Sequence, residues 1–487
     1  MRRGAALQVL DRRRAGVLLH ATSLPDATHG ALGQAARSFV DWLVAGGFSL
    51  WQFLPLGPVG ADRSPYFARS NHAGDPGLVD LATLAGAGLI DAADLGRTPR
   101  AALLARAAAA LGARRGAAAE AFARFRAAEA YWLDDYALYA AIQAHEGGRP
   151  WWRWPAPLAR RDPAALAAAR LALAGAIAEV EATQYLFHDQ WHALRAYAAG
   201  RGVRLFGDVP IYVAPDSVEV WAHPELFELD AGGEPACVAG VPPDYFAVDG
   251  QRWGNPLYRW EAHEASGFAW WLERLRAQFA LFDLVRIDHF RGLEAYWAVP
   301  AAAPTAATGE WRPAPGKALL RRAREAFGGL EIIAEDLGVI TPAVERLRDE
   351  FGLPGMRVAQ FGFDAAERNL HAPHNWTARV VGYTGTHDND TTAGWYAQLD
   401  APARQWVADY LGCAPADVVA TLVRTVLASV AQIAVVPMQD LLGLGSESRM
   451  NTPGTTAGNW GWRFAWPDVP AGLAARCQRW NRLYERG

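Results

Sequence analysis

A chain of 487 residues with 51% hydrophobic content has material for one very large core or for two to three ordinary ones, so an enzyme-sized globular protein is expected. The formal charge of −4 is mild and no Lys/Arg-rich stripe is interleaved with aromatics, which excludes an electrostatic footprint for nucleic acid. Three widely separated cysteines, Cys237, Cys413 and Cys477, suggest neither a zinc site nor a disulfide framework and fit a reducing compartment.

At the N-terminus, Arg2, Arg3 and Arg12 to Arg14 read as a solvated tail. The next apolar stretch, Ala15–Leu19, is too short for a secretory signal and meets His20. No later run approaches the roughly 18 apolar residues that a bilayer demands, so the chain is expected in the cytoplasm with no membrane partner. Short apolar, β-branched or aromatic runs bounded by turn residues then recur at Ala15–Ala21, Leu50–Leu56, Arg204–Val213, Leu284–Phe290, Glu331–Leu337, Met356–Phe363, Arg379–Thr386 and Ile433–Leu441. Between most of them lie stretches of helical periodicity, among them Ala35–Ala45, Phe268–Phe282, Lys317–Phe327, Pro342–Phe351 and Ala403–Ala431. The alternation predicts an α/β fold, and eight units predict a closed (β/α)8 TIM barrel that makes residues 1–487 one catalytic domain.

Two insertions interrupt the alternation. Residues 84–200, after the second strand, are rich in Ala, Arg and Leu and predict a mainly helical subdomain. Residues 214–260, after the third, carry Pro, Gly, Asp and Trp with little periodicity and read as long ordered loops at the active site. Many of the 21 tryptophans fall in such segments, where a flat ring suits a sugar face, although core and helix seams use Trp equally well.

Active groups of a barrel sit at the C-terminal ends of its strands. Polar residues stand there repeatedly: His20, Asp208, Asp288, Glu335, Gln360, His387 with Asp388, and Gln439 with Asp440. In the fourth strand Arg286 and Asp288 are two apart and share a face, which makes either a structural ion pair or a carboxylate kept ionised as a nucleophile. The fifth strand ends on Glu335 and Asp336, where an acid buried beside apolar groups would stay protonated and act as a general acid. The seventh leads into His387, Asp388 and Asp390, and Asp390 reads as a turn or cap residue. Three acids from strands four, five and seven include the two that a retaining glycosidase needs, about 5–5.5 Å apart.

These segments resemble the amylomaltase family, glycoside hydrolase family 77 of the α-amylase clan, over essentially the whole chain. The matching stretches are Gly16–His20 with Thr22–Pro25, Ser64–Tyr66, Gly207–Val213, Gly240–Phe246, Gly250–Pro256, Arg286–Gly292, Ala334–Gly338 and Gly385–Asn389. The resemblance implies a 4-α-glucanotransferase acting on α-1,4-glucans and maltooligosaccharides by a retaining double displacement, without cofactor or catalytic metal. It implies Asp288 as nucleophile, Glu335 as acid/base and Asp388 as transition-state stabiliser, with Arg286 and His387 at the cleavage subsite. Asp244, Gln251 and Trp253 match an acceptor-side loop, Ser64 and Tyr66 the same groove, and Asn459 within Met450–Trp462 a loop on the opposite wall. His72, Asp75 and Thr308-Gly309 depart from the family pattern and bear on chain-length preference.

Two alternatives share parts of this pattern. An α-glucan hydrolase of the same clan would use the same acids, and the two loops favour a transferase over it. A silent glucan-binding protein would have lost one of the three acids. His20, His289 and His387 match no standard metal-ligand spacing.

Overall fold

The computed structural model describes residues 9–25, 27–243, 249–364 and 368–487. Eight parallel strands form one sheet: β1 (Arg14–Leu18), β2 (Leu50–Gln52), β3 (Arg204–Val209), β4 (Leu284–Ile287), β5 (Ile332–Ala334), β6 (Gly355–Val358), β7 (Val380–Tyr383) and β8 (Ile433–Pro437). Their order around the sheet is β6-β7-β8-β1-β2-β3-β4-β5. The two ends approach without a ladder. There the Ala334 N–H donates to the Pro354 carbonyl at 2.9 Å, and the Met356 N–H donates to the Asp336 side chain at 2.6 Å. All eight expected strands are present, each ending earlier than its apolar run.

The strands sort their side chains with a period of two. Leu18, Leu50, Phe206, Leu284, Ile333, Val381, Tyr383 and Val435 fill the barrel, whereas Val17, Trp51, Leu205, Val285, Ala334 and Val436 face the helices. The same alternation sends Asp208, two beyond Phe206, and Arg286, two beyond Leu284, into the mouth. Helices Gln34–Ala45, Ala269–Leu281, Gly316–Phe327 and Pro342–Glu350 fall within a residue or two of the periodic stretches. The stretch read as one unit at Ala403–Ala431 is two helices, Ala401–Leu411 and Val418–Ala428. Gly412, at φ 62°, terminates the first, and Pro415 starts a new turn.

The region 84–200 contains the long helices Arg100–Gly112, Ala117–His145 and Ala174–Ala199. Residues 214–260 are not loops alone. Cys237–Val241 and Gln251–Pro256 are antiparallel strands that join Ala295–Pro300 and Glu310–Pro313 in a separate four-stranded sheet. A register shift between Val238 and Gly240 breaks the alternation that would have betrayed it in sequence.

The described arginines before β1 are also not all a solvated tail. Arg14 opens β1, is buried, and donates to the Val9 carbonyl, while Val9 itself joins the barrel interior. Arg13 donates to the carbonyls of Tyr484 and Ser429. Beside them the fully buried Arg486 donates to the carbonyls of Arg14, Leu427, Ser429, Ala431 and Gln432. Guanidinium donors thereby satisfy carbonyls at the end of the barrel opposite the mouth. Among the described residues no single helix is long and apolar enough to cross a membrane. Replacing Arg486 by Ala removes a donor from five carbonyls at once, although Ser429 keeps Arg13 and Gln432 keeps the Arg14 N–H. Urea denaturation is expected to show a loss of about 3 kcal/mol or more, with the folded fraction keeping its mouth geometry.

Candidate active site

The centre of the mouth is a buried charge. Arg286 donates through Nε and Nη2 to Asp208 Oδ1 and Oδ2 at 3.0 and 2.8 Å, a bidentate fork. Its Nη2 also donates to Asp288 Oδ1 at 2.8 Å and to Tyr66 Oη at 3.1 Å. Burial works against this charge, but Asp208, Tyr66 and Asp288 outweigh it and hold the guanidinium well above its ordinary pKa. Tyr66 arrives from the short turn Pro65–Phe67 after β2. Its hydroxyl donates to Asp208 Oδ2 at 2.6 Å and lies 2.8 Å from His387 Nε2.

That hydroxyl has one proton, and burial followed by the Asp208 charge pushes its pKa well up, so the proton stays in place. Burial pushes His387 down, leaving a neutral imidazole. With the Tyr66 proton committed to Asp208, the imidazole must carry its own on Nε2. The two rings stack, 5.3 Å apart and 11° from parallel.

Asp208 is sealed inside this cluster, whereas the Asp288 side chain is 31% exposed and that of Asp388 is 45% exposed, so only the latter two face the groove. Glu335 is buried at the end of β5. Its Oε1 accepts the Leu337 N–H at 2.8 Å and its Oε2 the His289 N–H at 2.6 Å. Burial pushes its pKa up to about 7 against the pull of Arg286 and these two donors. Burial likewise pushes Asp288 well above its ordinary range, with Arg286 opposing and Asp208, Glu335 and Asp388 reinforcing. Two such acids hold one proton between them near neutrality. Arg286 touches Asp288 and not Glu335, a contact that favours the charge on Asp288 and the proton on Glu335.

Asp388 is held from the last loop. Asn451 Nδ2 donates to its Oδ1 at 2.7 Å, and Arg449 Nη2 donates to its backbone carbonyl at 2.6 Å. The neighbouring acids have other duties. Asp336 points away into Arg348 and Arg357, and Asp390 takes the Thr391 N–H, the Ser446 hydroxyl and the Gln398 amide. Beside His387 the mouth extends into a recess lined by His20, Thr386, Gln439, Met450 and Trp462.

The remaining sequence candidates ring this centre. Ser64 precedes the Tyr66 turn, half-buried. Gln251 Oε1 accepts from Trp253 Nε1 at 3.2 Å, and the Trp253 ring stands edge to face on His289. The Asn459 amide is engaged within its own loop, accepting the Thr452 N–H and donating to Thr455. Asp244 lies outside the described residues. Asp208, Asn451 and His289 complete the site without having been singled out as site residues. For Asp208 the signal was present, an acid at the end of a strand inside Gly207–Val213.

Among the described residues no group of three or more His, Cys, Asp or Glu is placed to hold a metal ion. The raised pKa of Glu335 also has a stability consequence. The folded state holds this proton more tightly than the unfolded one, so its contribution is full below the ordinary pKa of 4.5 and is lost as pH rises through about 7. Glu335→Gln, always neutral, is expected to be more stable than wild type at pH 8 by up to about 3 kcal/mol. In denaturant titrations across pH the difference shrinks toward pH 4.

Comparison with known proteins finds relatives over nearly the whole chain. A glycoside hydrolase family 77 model, described as 4-alpha-glucanotransferase, matches residues 19–468. The 4-alpha-glucanotransferase of Thermus thermophilus is 49% identical, over 97% of this chain and 99% of its own. That of Synechocystis is 46% identical, over 98% and 99%. The solved amylomaltase of Streptococcus agalactiae in complex with acarbose superposes with a TM-score of 0.93 at 38% identity, over 98% of this chain and 100% of that one.

Proposed function

Because the chain belongs to the 4-α-glucanotransferases of glycoside hydrolase family 77, and so is a 4-α-glucanotransferase, we propose that it moves α-1,4-glucan segments by a retaining double displacement through Asp288. The observation that carries this reading is the division of labour between two acids: Asp288 in contact with Arg286, Glu335 buried and raised to about 7. A retaining mechanism needs one carboxylate and one carboxylic acid at the same bond, and this pair is poised in that state.

In the first step the Asp288 carboxylate attacks C1 of the sugar at the cleavage point while Glu335 gives its proton to the departing glycosidic oxygen. The products are a glycosyl ester on Asp288 and a shortened glucan. As charge leaves Asp288, Arg286 keeps its fork on Asp208, so the nucleophile's neighbour does not move. Asp388, free toward the groove and fixed by Asn451, supplies negative charge near the oxocarbenium-like sugar. Tyr66 and His387, stacked and mutually hydrogen-bonded, form a rigid wall for the same ring. In the second step Glu335, now a carboxylate, takes the proton of an acceptor hydroxyl, and that oxygen attacks C1 and releases Asp288.

The acceptor is a sugar hydroxyl of glucose or a maltooligosaccharide rather than water. Gln251 and Trp253 on one side, and the Met450–Trp462 loop on the other, wall the groove and favour a seated sugar over solvent. Asp244 belongs to the same acceptor side in this reading, and Ser64 to the groove edge. Asn459 acts by shaping its loop.

Incubation of the pure protein with maltotriose is expected to give glucose and a ladder of longer oligosaccharides with little net gain in reducing ends. Asp288→Asn is expected to lose the ladder, and Glu335→Gln to slow it by about 10²–10⁴-fold. Shorter sugars with rising reducing ends would instead show hydrolysis. The donor step needs Glu335 protonated, so kcat/KM for maltotriose is expected to fall as pH rises through about 7. A pH-rate profile that stays flat well above 7 would contradict the assignment.

A further inference from the structure

His289 directly follows the nucleophile and has a left-handed backbone, φ 51° and ψ 50°, a region that residues other than glycine rarely occupy. It stands between two parts of the site. Its N–H reaches Glu335 Oε2 at 2.6 Å, and the next N–H, that of Phe290, reaches the Glu335 carbonyl at 3.1 Å. Successive amides therefore fix the side chain and the main chain of one residue. The imidazole meets the Trp253 indole edge to face, with centroids 4.8 Å apart and planes at 89°. On another side it approaches Gly292, where an added Cβ would lie 3.3 Å from His289 Cδ2.

The double displacement makes no use of this ring. Burial lowers its pKa to about 3, so it is neutral at working pH, and its Nε2 has no hydrogen-bond partner among the described residues. A strained backbone persists where surrounding contacts over-determine it, and here those contacts are Trp253 on one side and Glu335 on the other. We propose that His289 is a positioning residue that couples the Trp253 wall to the Glu335 carboxyl: the indole holds the ring, and the ring holds the turn whose N–H aims at Oε2.

This inference rests on Glu335 being the acid/base and Trp253 part of the acceptor side. It implies that a sugar seated against Trp253 steadies the proton-transfer group. Transfer then gains over reaction with water from alignment as well as from exclusion.

The test compares donor kcat/KM for maltotriose and for α-maltotriosyl fluoride, whose leaving group needs no proton. His289→Gly keeps the N–H and suits the left-handed backbone while deleting the ring. It is expected to lose about tenfold or more on maltotriose and far less on the fluoride, as is Trp253→Ala. The double variant is expected to lose no more than the worse single one, because both break one link. His289→Asn, which also tolerates this backbone, repeats the measurement should the glycine variant fold poorly. Equal losses on both donors, or losses that multiply in the double variant, overturn the coupling. Glu335→Gln is the reference. If it shows no preference for the fluoride, the acid/base assignment fails and this inference with it. If it does and the His289 variants do not, this inference alone fails.

Discussion

The mouth of the barrel is arranged around the Arg286 guanidinium, a full charge taken out of water. Such a charge costs several kcal/mol unless it is paired and its donors are satisfied. Asp208 does most of that with a bidentate fork, and Tyr66 closes the remaining side. The consequence for chemistry lies in the second carboxylate. Asp208 already neutralises Arg286, so Asp288 shares the same Nη2 without being locked into a pair of its own. It is reachable from the groove and crowded by another negative charge. That crowding suits the role proposed for Asp288, which must first attack and later leave. The same balance displaces the shared proton onto Glu335, so one guanidinium sets the states of both acids.

The barrel was largely legible in the sequence because each strand announces itself twice, by an apolar run and by the polar residue that ends it. His20, Asp288, Glu335 and His387 were found that way. What adjacency cannot tell is which of two neighbouring acids faces the groove. Glu335 and Asp336 are separated only by partners that come later in the chain, Arg348 and Arg357, which draw Asp336 to the far side. Asp208 was visible as a strand-end acid, but its function depends on a fork to Arg286 from another strand. The second sheet escaped because its pairing crosses from residues 237–256 to 295–313 and its register slips at Gly240. Arg14 and Arg13 read as a tail since nothing local shows the carbonyls they satisfy.

Tryptophan divides in the same way. Trp51, Trp191, Trp221 and Trp271 are fully buried and serve packing, whereas Trp253 touches His289 and Trp460 lies beside Tyr66 and His387. Composition alone gave an excess and suggested sugar faces. Contacts rather than burial single out the rings at the groove, since Trp460 is itself buried yet lies against Tyr66 and His387. Trp460 has a left-handed backbone at φ 62°, like His289, so both walls of the site contain a non-glycine residue in a conformation that only tertiary contacts sustain.

The gap between β5 and β6 gives the barrel a seam. Elsewhere neighbouring strands exchange backbone bonds in register, but here the junction relies on one amide-to-carbonyl bond and on the Asp336 carboxylate held by two arginines. A closed cylinder with one weak staves-to-staves joint opens along that joint first. Glu335 follows the strand on one side of it, so breathing of the seam would admit water to the Glu335 carboxyl while the rest of the sheet stays intact. Heat would then silence the enzyme before circular dichroism registers any loss of strand or helix.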